Sequence, residues 1–167
     1  MSPDIIIRRE SPDQPDVIEL LGALDAYLAT LYPPEANHIL GVQALLAPDV
    51  HFWVARFNAT GDAPAGELVG TGAVRRRPAH VQTEYLPYGE IKRMMVRPGH
   101  RGKGIAQRLL SALEADMREA GMTLAVLETG HKQAEAVRLY ERSGYLARGP
   151  FGGYHDNGLS AFYEKRL

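Results

Sequence analysis

Between Glu90 and Leu110 the chain reads Glu-Ile-Lys-Arg-Met-Met-Val-Arg-Pro-Gly-His-Arg-Gly-Lys-Gly-Ile-Ala-Gln-Arg-Leu-Leu. A strand-like stretch, about Tyr88 to Val96, runs into a glycine-rich turn and then straight into a helix. The apolar residues of that helix, Ile105, Leu109, Leu113 and Met117, recur every fourth position, which predicts one buried face over Gly104 to Ala120. Small residues at 102, 104 and 106 let a ligand approach the backbone, and the N–H groups of the first helical turn have no partner within the helix. Such a turn is built to hold an anion. Five Lys or Arg residues fall between Lys92 and Lys103, against one acid at Glu90. A run of charge is ordinarily a solvated face; this one surrounds a helix N-terminus.

The rest of the chain supplies the context. Ile5 to Ile7 predicts a short first strand. Val17, Leu20, Leu21, Leu24, Leu28 and Leu31 recur at three and four, an amphipathic helix with Asp13 or Asp16 placed to cap it. Tyr32-Pro33-Pro34 ends that helix, and Asn37 is placed to cap a second one reaching Leu46 before Pro48. Val50 to Phe57 and Leu68 to Val74, around the turn Asn58 to Pro64, predict an antiparallel hairpin. After residue 88 come the strand, turn and helix already described, a strand Leu124 to Leu127, a helix near Gln133 to Ser143, and strands near Tyr145–Arg148 and Leu159–Lys165. The order is β-α-α-β-β-β-α-β-α-β-β. It predicts a mixed α/β fold with an antiparallel front half and one parallel crossover. With 167 residues, 45% of them apolar, and no repeat or linker, a single domain over 1–167 is expected.

Which anion the turn holds follows from what is missing. A phosphate-binding P-loop needs Lys-Ser/Thr after its last glycine, and Ile105-Ala106 stands there. The dinucleotide fingerprint needs a third small residue where Gln107 is, and an acid about twenty residues on ending a second parallel strand. Glu128 does end a strand, but the antiparallel front half argues against that fold. Cysteine is absent, which removes a disulfide scaffold, a thiol nucleophile and thiolate zinc sites. His131, His155 and Asp156 lack metal-ligand spacing, so no metal is expected. The formal net charge of −1 speaks against a nucleic-acid partner. No apolar run reaches membrane-spanning length and the N-terminus lacks the pattern of a signal peptide, so a cytoplasmic protein without membrane contact is expected. The charge is unevenly spread: residues 1–50 carry eight acids and two bases, residues 51–167 twelve acids and seventeen bases.

Arg101-x-x-Gly104-x-Ala106, following Val96 and opening a long helix, resembles the acetyl-CoA pyrophosphate loop of the GNAT N-acetyltransferase superfamily, (Gln/Arg)-x-x-Gly-x-(Gly/Ala). Leu139-Tyr140-Glu141-Arg142-Ser143-Gly144-Tyr145 resembles a second family element, Leu-Tyr-x-x-x-Gly-(Phe/Tyr). The order of elements matches along the whole chain. The resemblance implies a mostly antiparallel sheet of about seven strands flanked by about four helices, with acetyl-CoA as cosubstrate. It implies that the backbone of Arg101, Gly102, Lys103, Gly104, Ile105 and Ala106 holds the pyrophosphate, with the Arg101 and Lys103 side chains assisting. It implies that the pantetheine arm lies along Met94, Met95 and Val96, where a strand splay frees backbone N–H groups. By the same resemblance Glu90 takes the place of a catalytic base, and Tyr140 that of the acid returning a proton to the departing thiolate. Alternative readings remain: Glu90 pairing with Lys92 or Arg93, and Tyr140 as plain core.

The acceptor is expected between the first two helices and the late strands. Glu35, Asn37 and Thr129 are the candidate contacts, although Asn37 equally suits a helix cap and Thr129 a strand end. The resemblance is to bacterial members acting on small amines such as amino acids. The acidic first 50 residues, overhanging the acceptor, would then favour a cationic amine. Arg75, Arg76 and Arg77 read either as a partner for a carboxylate or the CoA 3′-phosphate, or as a solvated strand end. A protein N-terminal or lysine acetyltransferase is the alternative within the family; a nucleic-acid module and a non-catalytic CoA sensor are the alternatives outside catalysis. A homodimer is left open.

Overall fold

The structure, a computed structural model, describes residues 4–58 and 66–167. Seven strands form one sheet: β1 (Ile5–Arg9), β2 (Val50–Phe57), β3 (Leu68–Arg77), β4 (Tyr88–Val96), β5 (Leu124–Gly130), β6 (Leu146–Arg148) and β7 (Ser160–Arg166), in the spatial order β1-β2-β3-β4-β5-β7-β6. Four helices accompany it: α1 (Pro15–Leu31), α2 (Val42–Leu45), α3 (Ile105–Glu119) and α4 (Ala134–Arg142). Every neighbouring pair is antiparallel except β4 and β5. The expected order of elements and the single parallel crossover through α3 are both present.

The apolar spacing of α3 does what it predicts. Leu110, Leu113 and Met117 pack with Ile91, Leu127 and, from α4, Tyr140 into one buried cluster. A second cluster packs Val17, Leu20 and Leu21 of α1 and Leu45 of α2 with Phe52, Leu68 and Ala73 of the sheet. A third forms around Phe151, wholly buried with Tyr88, Val126 and Phe162.

Three local expectations are corrected. Neither Asp13 nor Asp16 caps α1. The N-cap is Gln14, with Pro15 opening the helix, where its fixed φ suits N1; Asp16 is instead taken by Arg56, whose Nη1 donates to it over 2.6 Å. The second helix does not run from Asn37 to Leu46. A 3-10 turn occupies Pro34–Ala36, and α2 begins only after Gly41. Between them the His38 carbonyl accepts from Lys92 Nζ at 2.8 Å, a bond that holds this carbonyl outside any helical ladder. Finally, β3 extends three residues beyond the expected Val74, to Arg77. The β2–β3 hairpin is antiparallel as read, and residues 59–64 of its turn lie outside the described residues.

The acidic first 50 residues resolve into pairs. Glu10 and Asp16 flank the 3% exposed Arg56, Asp25 meets Arg93, and Asp49 meets Arg75. Arg56 draws both of its carboxyls below their ordinary pKa range, against the opposing effect of burial. Four of the eight acids are therefore taken up by arginines of the sheet, three of them on α1 or just before it.

Candidate active site

β4 and β5 pair only over Gly89–Ala125, Glu90–Val126 and Ile91–Leu127. Beyond Ile91 the two strands part, and the edge of β4 facing the gap carries backbone groups without a strand partner. A bulge assists the parting. The register of β3 on β4 jumps from Thr71–Met95 to Ala73–Lys92, so Gly72 faces both Arg93 and Met94. Arg93 adopts φ 57°, a conformation that costs a non-glycine residue on the order of 1 kcal/mol. Its surroundings hold it there: the Thr71 hydroxyl donates to its carbonyl at 2.9 Å, and its guanidinium reaches Asp25 and the Leu21 carbonyl of α1. Gly72 is needed because an added Cβ would lie 2.7 Å from Met94 Sδ.

The gap opens into a cleft of about 730 Å³ between the start of α3 and α4. Met94, Met95 and Val96 line one side; Arg101, Gly102, Gly104, Ile105 and Ala106 line the turn. Gly102 and Gly104 have φ of 76° and 78°, which glycine adopts without strain. Gly104 is the N-cap of α3 and no side chain caps the helix. The N–H groups of Gly102 through Gln107 find no acceptor among the described residues, and they converge where the helix dipole is positive. The donors and the volume of this cleft fit the pyrophosphate and pantetheine of acetyl-CoA. The Arg101 side chain is already engaged, donating from Nε to the Val96 carbonyl at 3.0 Å, so it braces the end of β4. Lys103 is exposed and does not line the cleft.

A smaller chamber of about 110 Å³ lies on the other side of the splay, lined among others by Asn37, His38, Lys92, Glu128, Thr129 and Tyr140. Tyr140 also lines the cleft. It thus forms a shared wall, 5% exposed, and its hydroxyl makes no side-chain hydrogen bond among the described residues. Burial raises its pKa well above the ordinary phenol value, with the charge of Glu128 adding to the effect. The phenol is neutral and keeps its proton until a stronger base appears.

Glu128, two residues before the end of β5, which runs past the expected Leu127 to Gly130, is the residue that sequence reasoning passed over. Burial, with a smaller contribution from Glu90, pushes its carboxyl from 4.5 to about 7 despite the opposing charge of Lys92. The signal for it was present: a single acid closing the apolar run Leu124–Leu127, at the carboxyl end of a parallel strand, where open α/β sheets place ligands. Glu90, expected as the base, lies one layer back. It is 3% exposed, does not line the chamber, and accepts from the Tyr154 hydroxyl at 2.6 Å with Lys92 Nζ 3.7 Å away.

The acceptor candidates separate in the same way. Asn37 and Thr129 line the chamber, whereas Glu35 is exposed on the 3-10 turn and lines neither space. The Thr129 hydroxyl donates to Gln133 Oε1 at 3.3 Å, and the same oxygen accepts from Gly130 N. No acid of the first 50 residues lines the chamber, so the expected acidic overhang is absent there; the acid is Glu128. Arg75 and Arg76 face Asp49 and His51 away from both spaces. Tyr32 forms part of the chamber wall, its hydroxyl accepting from Lys132 N at 3.0 Å. No helix among the described residues is long and apolar enough to cross a membrane.

Comparison with known proteins agrees with this architecture. A profile of the Acetyltransferase (GNAT) family matches residues 18–145. The chain is 45% identical to an IAA acetyltransferase of Azospirillum brasilense over 165 residues, covering 99% of each chain. A solved structure from Klebsiella pneumoniae, described as an acyl-CoA N-acyltransferase, is 35% identical with a TM-score of 0.77, over 98% of this chain and 97% of that one. The PaiA N-acetyltransferase of Thermoplasma acidophilum, solved with coenzyme A, shares the fold at a TM-score of 0.70 and 19% identity, over 98% and 99% of the two chains.

Proposed function

This chain belongs to the GNAT acetyltransferase family, and from that premise we propose that it acetylates the amine of a small molecule, with Glu128 as base and Tyr140 as acid. It is an acetyl-CoA-dependent N-acetyltransferase; the acceptor class and the residue roles are the reading advanced here. One observation carries them. Tyr140 is the one ionisable side chain among the residues lining both the cleft and the small chamber, and the chamber contains a carboxyl titrating near neutrality.

Acetyl-CoA brings an acetyl group activated as a thioester. The backbone N–H groups from Gly102 to Gln107 bind its pyrophosphate, and the unpaired edge of β4 at Met94, Met95 and Val96 orients the pantetheine arm. Free backbone N–H groups on that edge stabilise negative charge developing on the thioester oxygen. An amine reaches the chamber as its ammonium and must lose a proton before it can attack. Glu128, with a pKa of about 7, is ionised often enough to accept that proton and basic enough to draw it. Tyr140 keeps its proton for the sulfur that leaves. Glu90, given the base role by family resemblance, acts in this reading through its charge, raising the Glu128 pKa. Lys92 works against that rise. Both spaces belong to one sheet, which supports a single catalytic domain over the whole chain.

The chamber volume of about 110 Å³ suits the amine end of a small acceptor. Release of CoA measured over a panel of amino acids, amino-acid amides, polyamines and tetrapeptides tests the proposal. Turnover on at least one small amine is expected; turnover confined to peptides would refute it.

A further inference from the structure

Five basic side chains line the cleft: His100 and Arg101 from the turn, Lys132 just before α4, and Arg138 and Arg142 on it. Three of them are already engaged. Arg101 donates to the Val96 carbonyl, and its Nη1 lies 3.9 Å from Glu135. Lys132 Nζ donates to the Leu31 carbonyl at 3.2 Å and stands 5.8 Å over the Tyr32 ring. His100 meets Phe57 edge to face, with its Nε2 3.9 Å from Glu67. Arg138 and Arg142 differ. Both are exposed, and neither makes a side-chain hydrogen bond or an ion pair among the described residues.

Their spacing makes them a pair. Four residues apart on one helix, the two side chains leave from the same face with Cβ atoms roughly 5–6 Å apart. Like charges at that spacing repel one another and work against the helix. The acids of α4 give no relief: Glu135 turns to Arg101, and Glu141 accepts from the Tyr163 hydroxyl at 3.3 Å. Two uncompensated guanidinium groups therefore stand in the wall of the same cleft whose turn offers its N–H groups to a pyrophosphate.

CoA carries a third phosphate besides its pyrophosphate. It is a monoester on the ribose 3′-oxygen, with a charge of about −2 near neutral pH. Guanidinium forks bind such a group through paired, charge-assisted hydrogen bonds. Arg75, Arg76 and Arg77, its candidates in the sequence, line neither the cleft nor the chamber. We propose that Arg138 and Arg142 form the site for the 3′-phosphate, and that through them the protein distinguishes CoA from its 3′-dephospho form. The inference rests on the cleft as the CoA site, and concerns only the side chains that take a group remote from the thioester.

The test reads binding alone. Affinities for CoA and for 3′-dephospho-CoA are measured by calorimetry at one fixed salt concentration, with the intact protein, Arg138→Gln, Arg142→Gln, the double variant and Arg118→Gln. Arg118, exposed near the end of α3, lines neither space and controls for the general field of a lost positive charge. The intact protein should bind CoA at least about tenfold more tightly than the dephospho form, a difference of about 1.4 kcal/mol. Each single substitution on α4 should narrow that ratio and the double variant should abolish it, with affinity for 3′-dephospho-CoA unchanged throughout; Arg118→Gln should keep it in full. Equal affinity for the two ligands in the intact protein overturns the site. So does a preference that the double variant retains, or one that Arg118→Gln narrows as much as the α4 variants do. Failure of the intact protein to bind either ligand would instead strike at the cleft as the CoA site. Should the double variant not fold, the two single variants decide.

Discussion

Replacing Glu128 by Gln should inactivate the enzyme and stabilise the protein, and the second effect should depend on pH. The carboxyl titrates at about 7 in the folded chain against an ordinary 4.5. The folded state therefore holds more protons than the unfolded one between those values. Stability linked to Glu128 is complete below pH 4.5 and is lost as pH rises, levelling off above 7. A shift of this size corresponds to about 3 kcal/mol. Gln cannot ionise, so the variant escapes the loss. In thermal melts the two proteins should differ by about 5–10 °C more at about pH 8 than at about pH 5, given the usual 2–4 °C per kcal/mol for a chain of this size. Activity should move the opposite way. Loss of a general base typically costs about 10²–10⁴ in rate. The unaltered enzyme should show kcat/KM rising with pH through about 7, falling about tenfold per unit on the acid side, and the variant should lack that limb. A melting difference that is the same at both pH values would remove the buried, proton-binding Glu128 from the argument. An acid limb that persists in the variant would remove it as the base.

Tyr140→Phe should lower kcat by about two orders of magnitude while acetyl-CoA affinity, measured by calorimetry, stays as it was; an unchanged kcat would return Tyr140 to the plain core. Gly130→Ala should destabilise the fold by about 1–3 kcal/mol, because the new Cβ would fall 1.7 Å from the Tyr32 hydroxyl and force that ring off Lys132. Denaturant melts measure the loss, and a neutral substitution would mean that the contact between Tyr32 and β5 is absent in solution. Arg56→Met should cost about 2–3 kcal/mol near neutral pH by leaving Glu10 without its buried partner. The cost should shrink on acidification, because Glu10 and Asp16 have lowered pKa values and their contribution, present above the ordinary carboxylate range, is lost as pH falls through it.

The cleft half of the candidate site, which the turn and β4 line, was legible in the sequence because it is local. A strand, a turn with glycines at 102 and 104, and a helix N-terminus are consecutive in the chain, and backbone N–H groups bind without the help of distant residues. Tyr140 was legible for a related reason, since its motif and the α4 spacing lie within one element. Glu128 was not. Its side chain becomes a candidate base only when β5 pairs with β4 across a crossover of nearly thirty residues, which puts it behind Tyr140 and within reach of the charges of Glu90 and Lys92. Periodicity reports that position 128 ends a strand and has no means of reporting burial.

Charge was misread for the opposite reason. Counting acids over the first 50 residues treats them as a field, yet a carboxylate that meets a guanidinium at hydrogen-bond distance contributes little beyond that pair. Arg56, Arg93 and Arg75 take up Glu10, Asp16, Asp25 and Asp49. What lines the chamber is far smaller: one carboxyl held near neutrality and one ammonium already committed to two loops. Lys92 thereby serves two purposes that pull against each other. It moderates the Glu128 pKa, and it ties the His38 carbonyl to the Tyr154 hydroxyl. Removing it should raise that pKa further and free both loops at once, so a Lys92 variant reports basicity and loop anchoring together.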